Sequence, residues 1–355
     1  MIPPGAADRR RSIHRILDAD GNRAAEGLRA LEEVARFLLD DLPLAGRLKS
    51  LRQDLRQAMP AVVVAARDTP GDVGAAYQAG TALRAGLVAH LRANAARVQE
   101  ALRAIEEAAR LGGLGAVAAA AERGRYAAYG IESALLSRCA AWRLWQVRLY
   151  VLVDAALCVD PVAVAAAAAR GGAGAVQLRA KTLDQRAYAD LAARVQEAVR
   201  AAGAFFVVND HVAIAAALGA DAVHVGQDDL GIGLVRAAVG PLCAIGVSCH
   251  TPDQVRVAQA AGADYLGLGP MFATTTKPHE PCRGPDLLDA VRADLTVPTY
   301  AIGGLDAGRI ADLAVRIPHG VAVAGCICRA ADPEAATRAL ADLLERDDPL
   351  LAGRP

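Results

Sequence analysis

Gln177-Leu178-Arg179-Ala180-Lys181 sets an amide, a guanidinium and an ammonium at alternate positions. Alternate side chains of an extended strand share a face, so all three project together and suit an anion. Further on, Asn209-Asp210 and Gly226-Gln227-Asp228-Asp229 each close a short apolar run. Hard divalent cations take carboxylate oxygens, and magnesium commonly binds through one or two carboxylates plus phosphate oxygens. Asp210 and Asp229 are therefore candidates to share one magnesium, although each alone also reads as a loop cap. Gly246-Val247-Ser248 adds a hydroxyl. Thr274, Thr275, Thr276 and Lys277 follow glycine-rich backbone and suit a pyrophosphate. Gly303-Gly304 and Ala324-Gly325 offer backbone N–H groups of the kind that hold phosphate. Two anion sites are thus expected, one metal-assisted and cationic, the other made mostly of backbone. His224 is expected to pack or hydrogen-bond among the strands, and His250 to start a helix.

These residues need a frame that brings eight chain segments to one place. From Arg148 onward, eight β-rich runs alternate with alanine-rich helical stretches. The runs are Leu149–Asp154, Ala175–Arg179, Phe205–Asp210, Ala222–Gly226, Ala244–Ser248, Tyr265–Pro270, Thr299–Gly304 and Val321–Gly325. Helices are expected between them, as at Asp184–Ala202 and Thr251–Ala261. Eight βα units in about 200 residues fit an α/β fold of the (β/α)8 TIM-barrel kind, with active residues at the C-terminal strand ends. A doubly wound open sheet is the alternative, disfavoured by the polar residues repeated at strand ends.

Residues 12–147 read differently, as helices without a convincing strand. Asp20–Arg36 and Asn94–Arg110 repeat at an offset of 74, with nine of 17 positions identical. Asp20 and Asn94 are helix-capping residue types. Leu28, Leu31 and Ala35 form an apolar stripe matched by Leu102, Ile105 and Ala109. Arg29–Glu33, Glu32–Arg36, Arg103–Glu107 and Glu106–Arg110 have ion-pair spacing. The plain reading is a duplicated, salt-bridge-laced bundle. The functional reading puts Arg23, Glu26, Arg97 and Glu100 around a shared polar pocket. An all-α domain over 12–140 and a barrel over 148–345 are expected. The junction near Ala140–Gln146 holds Trp142 and Trp145, which are expected to bury it.

Composition sets outer limits. The 355 residues are 54% hydrophobic but only 4% aromatic, which reflects much alanine. Thirty-nine basic residues balance 39 acidic ones, so no basic excess marks a nucleic-acid partner. No uncharged apolar run reaches the about 18 residues of a membrane span. Nothing in Met1–Arg11 reads as a secretory signal. Seven cysteines without zinc-site neighbours, Cys326 and Cys328 among them on one strand or loop, suggest free, mostly buried thiols and a cytoplasmic setting.

QLRxK at 177–181, Asn209-Asp210, HxGQxD at 224–229, Gly246-Val247-Ser248, GPxFxTxTK at 269–277 and Ile302-Gly303-Gly304 occur in order. In this the second half resembles the thiamine-phosphate synthase family. The first half resembles the helical domain often fused to such synthases, through its repeats, Arg67-Asp68, Asp72-Val73-Gly74, Arg125-Tyr126, Tyr129 and Glu132. The resemblance implies a magnesium-assisted, dissociative transfer, with one Mg2+ per active site. Hydroxymethylpyrimidine diphosphate is joined to thiazole phosphate and pyrophosphate is released. It implies that Arg179, Lys181 and Lys277 neutralise the leaving diphosphate and that Asp210 and Asp229 hold the metal. Gln177, Asn209, Ser248, Thr274, Thr275 and Thr276 would then orient the pyrimidine and diphosphate. Gly304, Ala324 and Gly325 would hold the thiazole phosphate. Many relatives have serine where Gly325 stands, so the second phosphate site departs from the family there. Arg179, Lys181, Ser248 and Lys277 are the expected catalytic set. A thiazole tautomerase on a similar barrel, or a non-catalytic pathway binding protein, are the rivals. A homo-oligomer is compatible with the sequence. Whether the helical half is catalytic, regulatory or a dimerisation module is open.

Overall fold

The computed structural model describes residues 6–68, 86–273, 282–313 and 316–346. The chain divides into two compact units, 1–139 and 140–355.

The first unit is helical. Its elements are α1 Ala6–Phe37, α2 Leu42–Ala58, a short 3-10 turn Ala61–Ala66, α3 Leu87–Leu111 and α4 Gly115–Leu144, whose last residues belong to the second unit. Leu28, Leu31 and Ala35 are buried together with Leu102, Ile105 and Ala109, so the repeated apolar stripe is the core face of both long helices. Gly27 permits their close approach: a Cβ there would sit 2.7 Å from a Val98 methyl.

Three expectations change. Asp20 and Asn94 lie inside α1 and α3 and cap neither helix. No helix breaker separates them from the residues upstream, so the helices start earlier. Each is buried and finds a local partner instead: Asp20 accepts from Arg23 at 2.8 Å, and Asn94 Nδ2 donates to His90 O at 3.0 Å. Glu32 does not pair with Arg36. It is buried, and Arg52 of α2 reaches it at 2.8 Å. Its repeat equivalent Glu106 is held by Arg125 at 3.1 Å, Arg103 at 3.1 Å and Arg110 at 2.7 Å. Arg29–Glu33 and Arg103–Glu107 do form, both at 2.9 Å. Finally, Arg23, Glu26, Arg97 and Glu100 are all exposed and do not enclose a shared pocket. A shallow groove on this unit takes Glu26, and its other polar lining residues are Asn22, Arg29, Glu33, Arg52 and Arg56.

The other residues marked in this half also have structural partners. Arg67 grips Asp18 with two hydrogen bonds of 2.7 and 2.8 Å, and Gln99 donates to Glu132 at 2.6 Å. Asp72, Val73 and Gly74 lie outside the described residues.

These ion pairs give the helical unit a pH dependence. Burial works to raise Glu106, but Arg125, Arg110 and Arg103 outweigh it and hold it below the ordinary glutamate value. The hydrogen bond from Arg67 likewise lowers Asp18. A depressed carboxylate adds stability that is present above its unfolded value and is lost as pH falls through its folded value. Glu106→Gln is therefore expected to destabilise the helices at about pH 7 and to cost less near about pH 3. Denaturant titration followed by circular dichroism measures this. An equal loss at both pH values would remove the charge from the explanation.

The second unit is a closed barrel of eight parallel strands in sequence order. They are β1 Leu149–Asp154, β2 Ala175–Arg179, β3 Phe205–Asn209, β4 Ala222–Val225, β5 Ala244–Cys249, β6 Tyr265–Leu268, β7 Thr299–Ile302 and β8 Gly320–Val323. Helices α5 Pro161–Arg170, α6 Gln185–Ala201, α7 Val212–Leu218, α8 Ile232–Val239, α9 Pro252–Ala260, α10 Asp286–Val291, α11 Ala307–Leu313, α12 Gly325–Cys328 and α13 Pro333–Arg346 follow their strands. Capping residues start several of them: Asp160, Asp184 and Thr251 each accept from backbone N–H groups of the first turn. Several strands stop one or two residues before the expected end. Asp210 and Gly303, just past β3 and β7, take left-handed backbone at φ 61° and 100°, which ends a strand. The open-sheet alternative falls with barrel closure.

Outward-facing strand residues such as Val151, Leu178 and Val223 pack against the helices. Inward ones fill the barrel, where Tyr150, Phe205, Val207, Tyr265 and Tyr300 join Leu144 and Val147. Tyr300 Oη donates to Leu144 O at 2.9 Å. Leu144 and Val147, not the tryptophans, therefore close the barrel floor. Trp142 and Trp145 remain 36% and 45% exposed, against expectation, and Trp145 meets His319 edge-on at 5.0 Å. All seven cysteines are free and four are buried. Cys326 and Cys328 sit on α12, not on a strand. None of the described helices is long and apolar enough to cross a membrane.

Candidate active site

β1 and β2 run in register with Asp154 opposite Arg179. Asp154 is buried, accepts a short hydrogen bond from Arg179 Nη1, and accepts from Ala156 N at 3.0 Å. The carboxylate thus aims the guanidinium. Only 14% of the Arg179 side chain is exposed, and it lines a cavity at the C-terminal ends of the strands. Leu178 and Ala180 point the other way, into the helix-facing core. Gln177 is buried beneath Arg179, and Lys181 follows above it, with Nζ 3.3 Å from Asp210 Oδ2. Asp229 Oδ2 accepts from Gly226 N at 2.7 Å, which fixes that loop.

A chain of polar groups crosses the cavity floor. Gln177 Nε2 donates to Tyr150 Oη at 3.1 Å, and Tyr150 Oη lies 3.2 Å from Tyr265 Oη. Tyr265 Oη lies 3.3 Å from His224 Nδ1, whose Nε2 is 3.0 Å from Ser248 Oγ. Burial pushes Tyr150 and Tyr265 well above the ordinary phenol value, so both serve as neutral hydrogen-bonding groups and not as bases. Gly246 makes room for this row. A Cβ there would sit 2.0 Å from the Tyr265 ring and 2.5 Å from His224 Nδ1. Gly246→Ala is therefore expected to cost about 1–3 kcal/mol through overpacking and to displace His224 and Ser248. Urea unfolding together with kcat measures both; unchanged stability would mean the row yields freely.

On the far side, the loop after β6 docks on the loop after β7. Met271 N donates to Ile302 O at 2.8 Å and Phe272 N to Gly303 O at 3.0 Å. Gly269 has no space for a side chain, since a Cβ would stand 2.1 Å from Ile302 O. Gly304, at φ 65°, turns under Ala273. Ala324, Gly325 and Cys326 complete that wall. Burial holds the Cys326 thiol up at about 11, so it is neutral.

The cavity is about 330 Å3, the size of a small-molecule site. It brings together Gln177, Arg179, Lys181, Asn209, Asp210, Asp229, Ser248, Gly304, Ala324 and Gly325. Thr274, Thr275, Thr276 and Lys277 lie outside the described residues. Asp154, Tyr150, Tyr265 and Arg329 are not marked by the sequence, and His250 is marked there only as a helix start. Asp154 ends β1 as other polar residues end later strands, and that signal was available. His250 does not start a helix: it precedes the cap residue Thr251, lines the cavity and places Nδ1 2.6 Å from Gly269 O.

The described residues hold no cluster of three or more metal-ligating side chains. Asp210 and Asp229 are hard oxygen donors in one cavity, from neighbouring strand ends. That donor set suits a magnesium ion that takes its remaining ligands from substrate phosphate and water.

Comparison with known proteins bears on the whole chain. Residues 149–327 match the family model of thiamine monophosphate synthase, and residues 15–134 match that of the ThiD2 family. A thiamine-phosphate synthase of Synechocystis is 39% identical over 95% of this chain and 98% of its own length. One of Rhodopirellula baltica is 37% identical, covering 95% and 94%. A solved thiamine phosphate pyrophosphorylase of Pyrococcus furiosus superposes with a TM-score of 0.53 at 28% identity, covering 58% of this chain and 98% of that one.

Proposed function

The chain belongs to the thiamine-phosphate synthase family, and on that premise we propose how its barrel carries out the reaction. It joins 4-amino-2-methyl-5-hydroxymethylpyrimidine diphosphate to a thiazole phosphate. The bond from the pyrimidine methylene to the diphosphate oxygen breaks, and its electron pair leaves with pyrophosphate. The thiazole nitrogen then supplies the pair for the new C–N bond. The observation that carries this reading is the gathering of Arg179, Lys181, Asp210 and Asp229 on one side of a cavity whose other side is glycine-rich backbone.

Such a transfer needs charge stabilised on the leaving group more than it needs a base. Arg179, held by Asp154, and Lys181 face the diphosphate, with Lys277 as a third cation. Asp210 and Asp229 would hold magnesium, which supplies further neutralisation of the diphosphate when bound. Gln177, Asn209 and Ser248 orient the pyrimidine, with Thr274, Thr275 and Thr276 on the diphosphate. The tyrosine floor excludes water from the methylene. Gly304, Ala324 and Gly325 take the thiazole phosphate on backbone N–H groups. A tautomerase would need only this last part, so the cation and carboxylate set favours the synthase. Free thiols throughout support a cytoplasmic setting.

Chelation tests the metal role. Product formation by the full chain should stop in excess EDTA and return with added Mg2+. Undiminished formation in EDTA would overturn that role.

A further inference from the structure

Gly325 opens α12 and has no side chain to offer a ligand. Arg329 closes the same turn, its N–H donating to Gly325 O at 3.2 Å. Residues four apart share a helix face, and helical side chains lean towards the N-terminus. The Arg329 side chain accordingly runs back over Gly325, with Nη1 3.3 Å from where a Cβ at 325 would stand. It lines the cavity together with Gly304, Ala324 and Gly325. Arg309 of α11 donates to Gly304 O, lies 4.9 Å over the Phe272 ring, and is not part of the cavity wall. Among the described residues, the other Arg and Lys side chains of the wall, Arg179 and Lys181, stand at the end of β2 beside Asp154 and Asp210. Asp306 also lines this end and accepts from Arg309 N at 3.0 Å, with Arg309 Nε 4.0 Å from its Oδ2.

We propose that Arg329 is the cationic clamp for the phosphate of the second substrate, and that it sets the preference for the phosphorylated thiazole over its alcohol. This rests on the synthase reading above. The guanidinium stands close over position 325, so the two positions share one corner of the cavity. The arginine supplies the side-chain contact that residue 325 lacks.

The test uses the full chain with both substrates and Mg2+. Arg329→Gln should raise KM for thiazole phosphate by about ten- to a hundredfold, the scale of a charge-assisted phosphate contact, while KM for the pyrimidine diphosphate stays within about threefold. The ratio of kcat/KM for thiazole phosphate to that for the unphosphorylated alcohol should fall by the same factor. Adding Gly325→Ser to Arg329→Gln should restore part of the loss, because the hydroxyl enters the vacated space. Arg329→Met keeps the aliphatic stem and answers the same question if the Gln variant does not fold. An unchanged KM for thiazole phosphate, or failure of both variants to fold, would overturn the proposal. Absence of product from the wild-type chain would instead overturn the synthase reading.

Discussion

Arg179→Met is expected to lower kcat by on the order of 10^2- to 10^3-fold, the scale of removing one preorganised stabiliser of developing charge. The physical reason is the setting. The guanidinium is mostly buried and held by the Asp154 carboxylate, so in the proposed reaction it would meet the leaving diphosphate without reorganising. The substitution also leaves Asp154 buried without its cation. Breaking such a pair costs about 3–5 kcal/mol, and stability alone could then mimic a catalytic effect. The double variant Arg179→Met/Asp154→Asn separates the two. It should recover much of the lost stability, since an amide keeps a carbonyl for Ala156 N, yet it should stay as inactive as the single variant. Activity returning along with stability would show that Arg179 is only a structural partner.

The second large effect is expected at Asp210. Asparagine tolerates the left-handed backbone found there (φ 61°), so Asp210→Asn removes charge without a backbone penalty. Turnover should fall, and the Mg2+ concentration for half-maximal rate should rise by about 10- to 100-fold or more. KM for the pyrimidine diphosphate should move less, because Lys181 loses its carboxylate partner at 3.3 Å and turns its full charge to the substrate. KM for thiazole phosphate should stay near wild type. Unchanged turnover and Mg2+ dependence would remove Asp210 from the metal site.

Much of this arrangement was legible in the residues themselves. Strands buried on both faces read as short apolar runs, and all eight strands carry that pattern. The direction of Gln177, Arg179 and Lys181 follows from two-residue periodicity, which tertiary context rarely overrides. What stayed hidden depends on register between distant segments. Asp154 matters because β1 places it beside Arg179, and the pairing is invisible from either strand alone. Tyr150 and Tyr265 look like ordinary core residues within their strands, and only barrel closure lines them up with His224. Arg329 reads as a surface arginine until α12 turns it back over Gly325. In the helical half, Glu32 and Glu106 sit in Glu-Glu pairs that read as solvated, yet each is buried against an arginine of the next helix. Asp20 and Asn94 differ for a related reason: a capping residue type marks a helix start only where the chain before it is not helical, and α1 and α3 run through both.

The central claim is that this single cavity releases pyrophosphate as it joins the two substrates. A single-turnover experiment with the full chain, both phosphorylated substrates and Mg2+ tests it most directly. Pyrophosphate and thiamine phosphate should appear in equal amounts and at the same rate. Absence of pyrophosphate, or pyrophosphate formed without thiamine phosphate, would contradict the account.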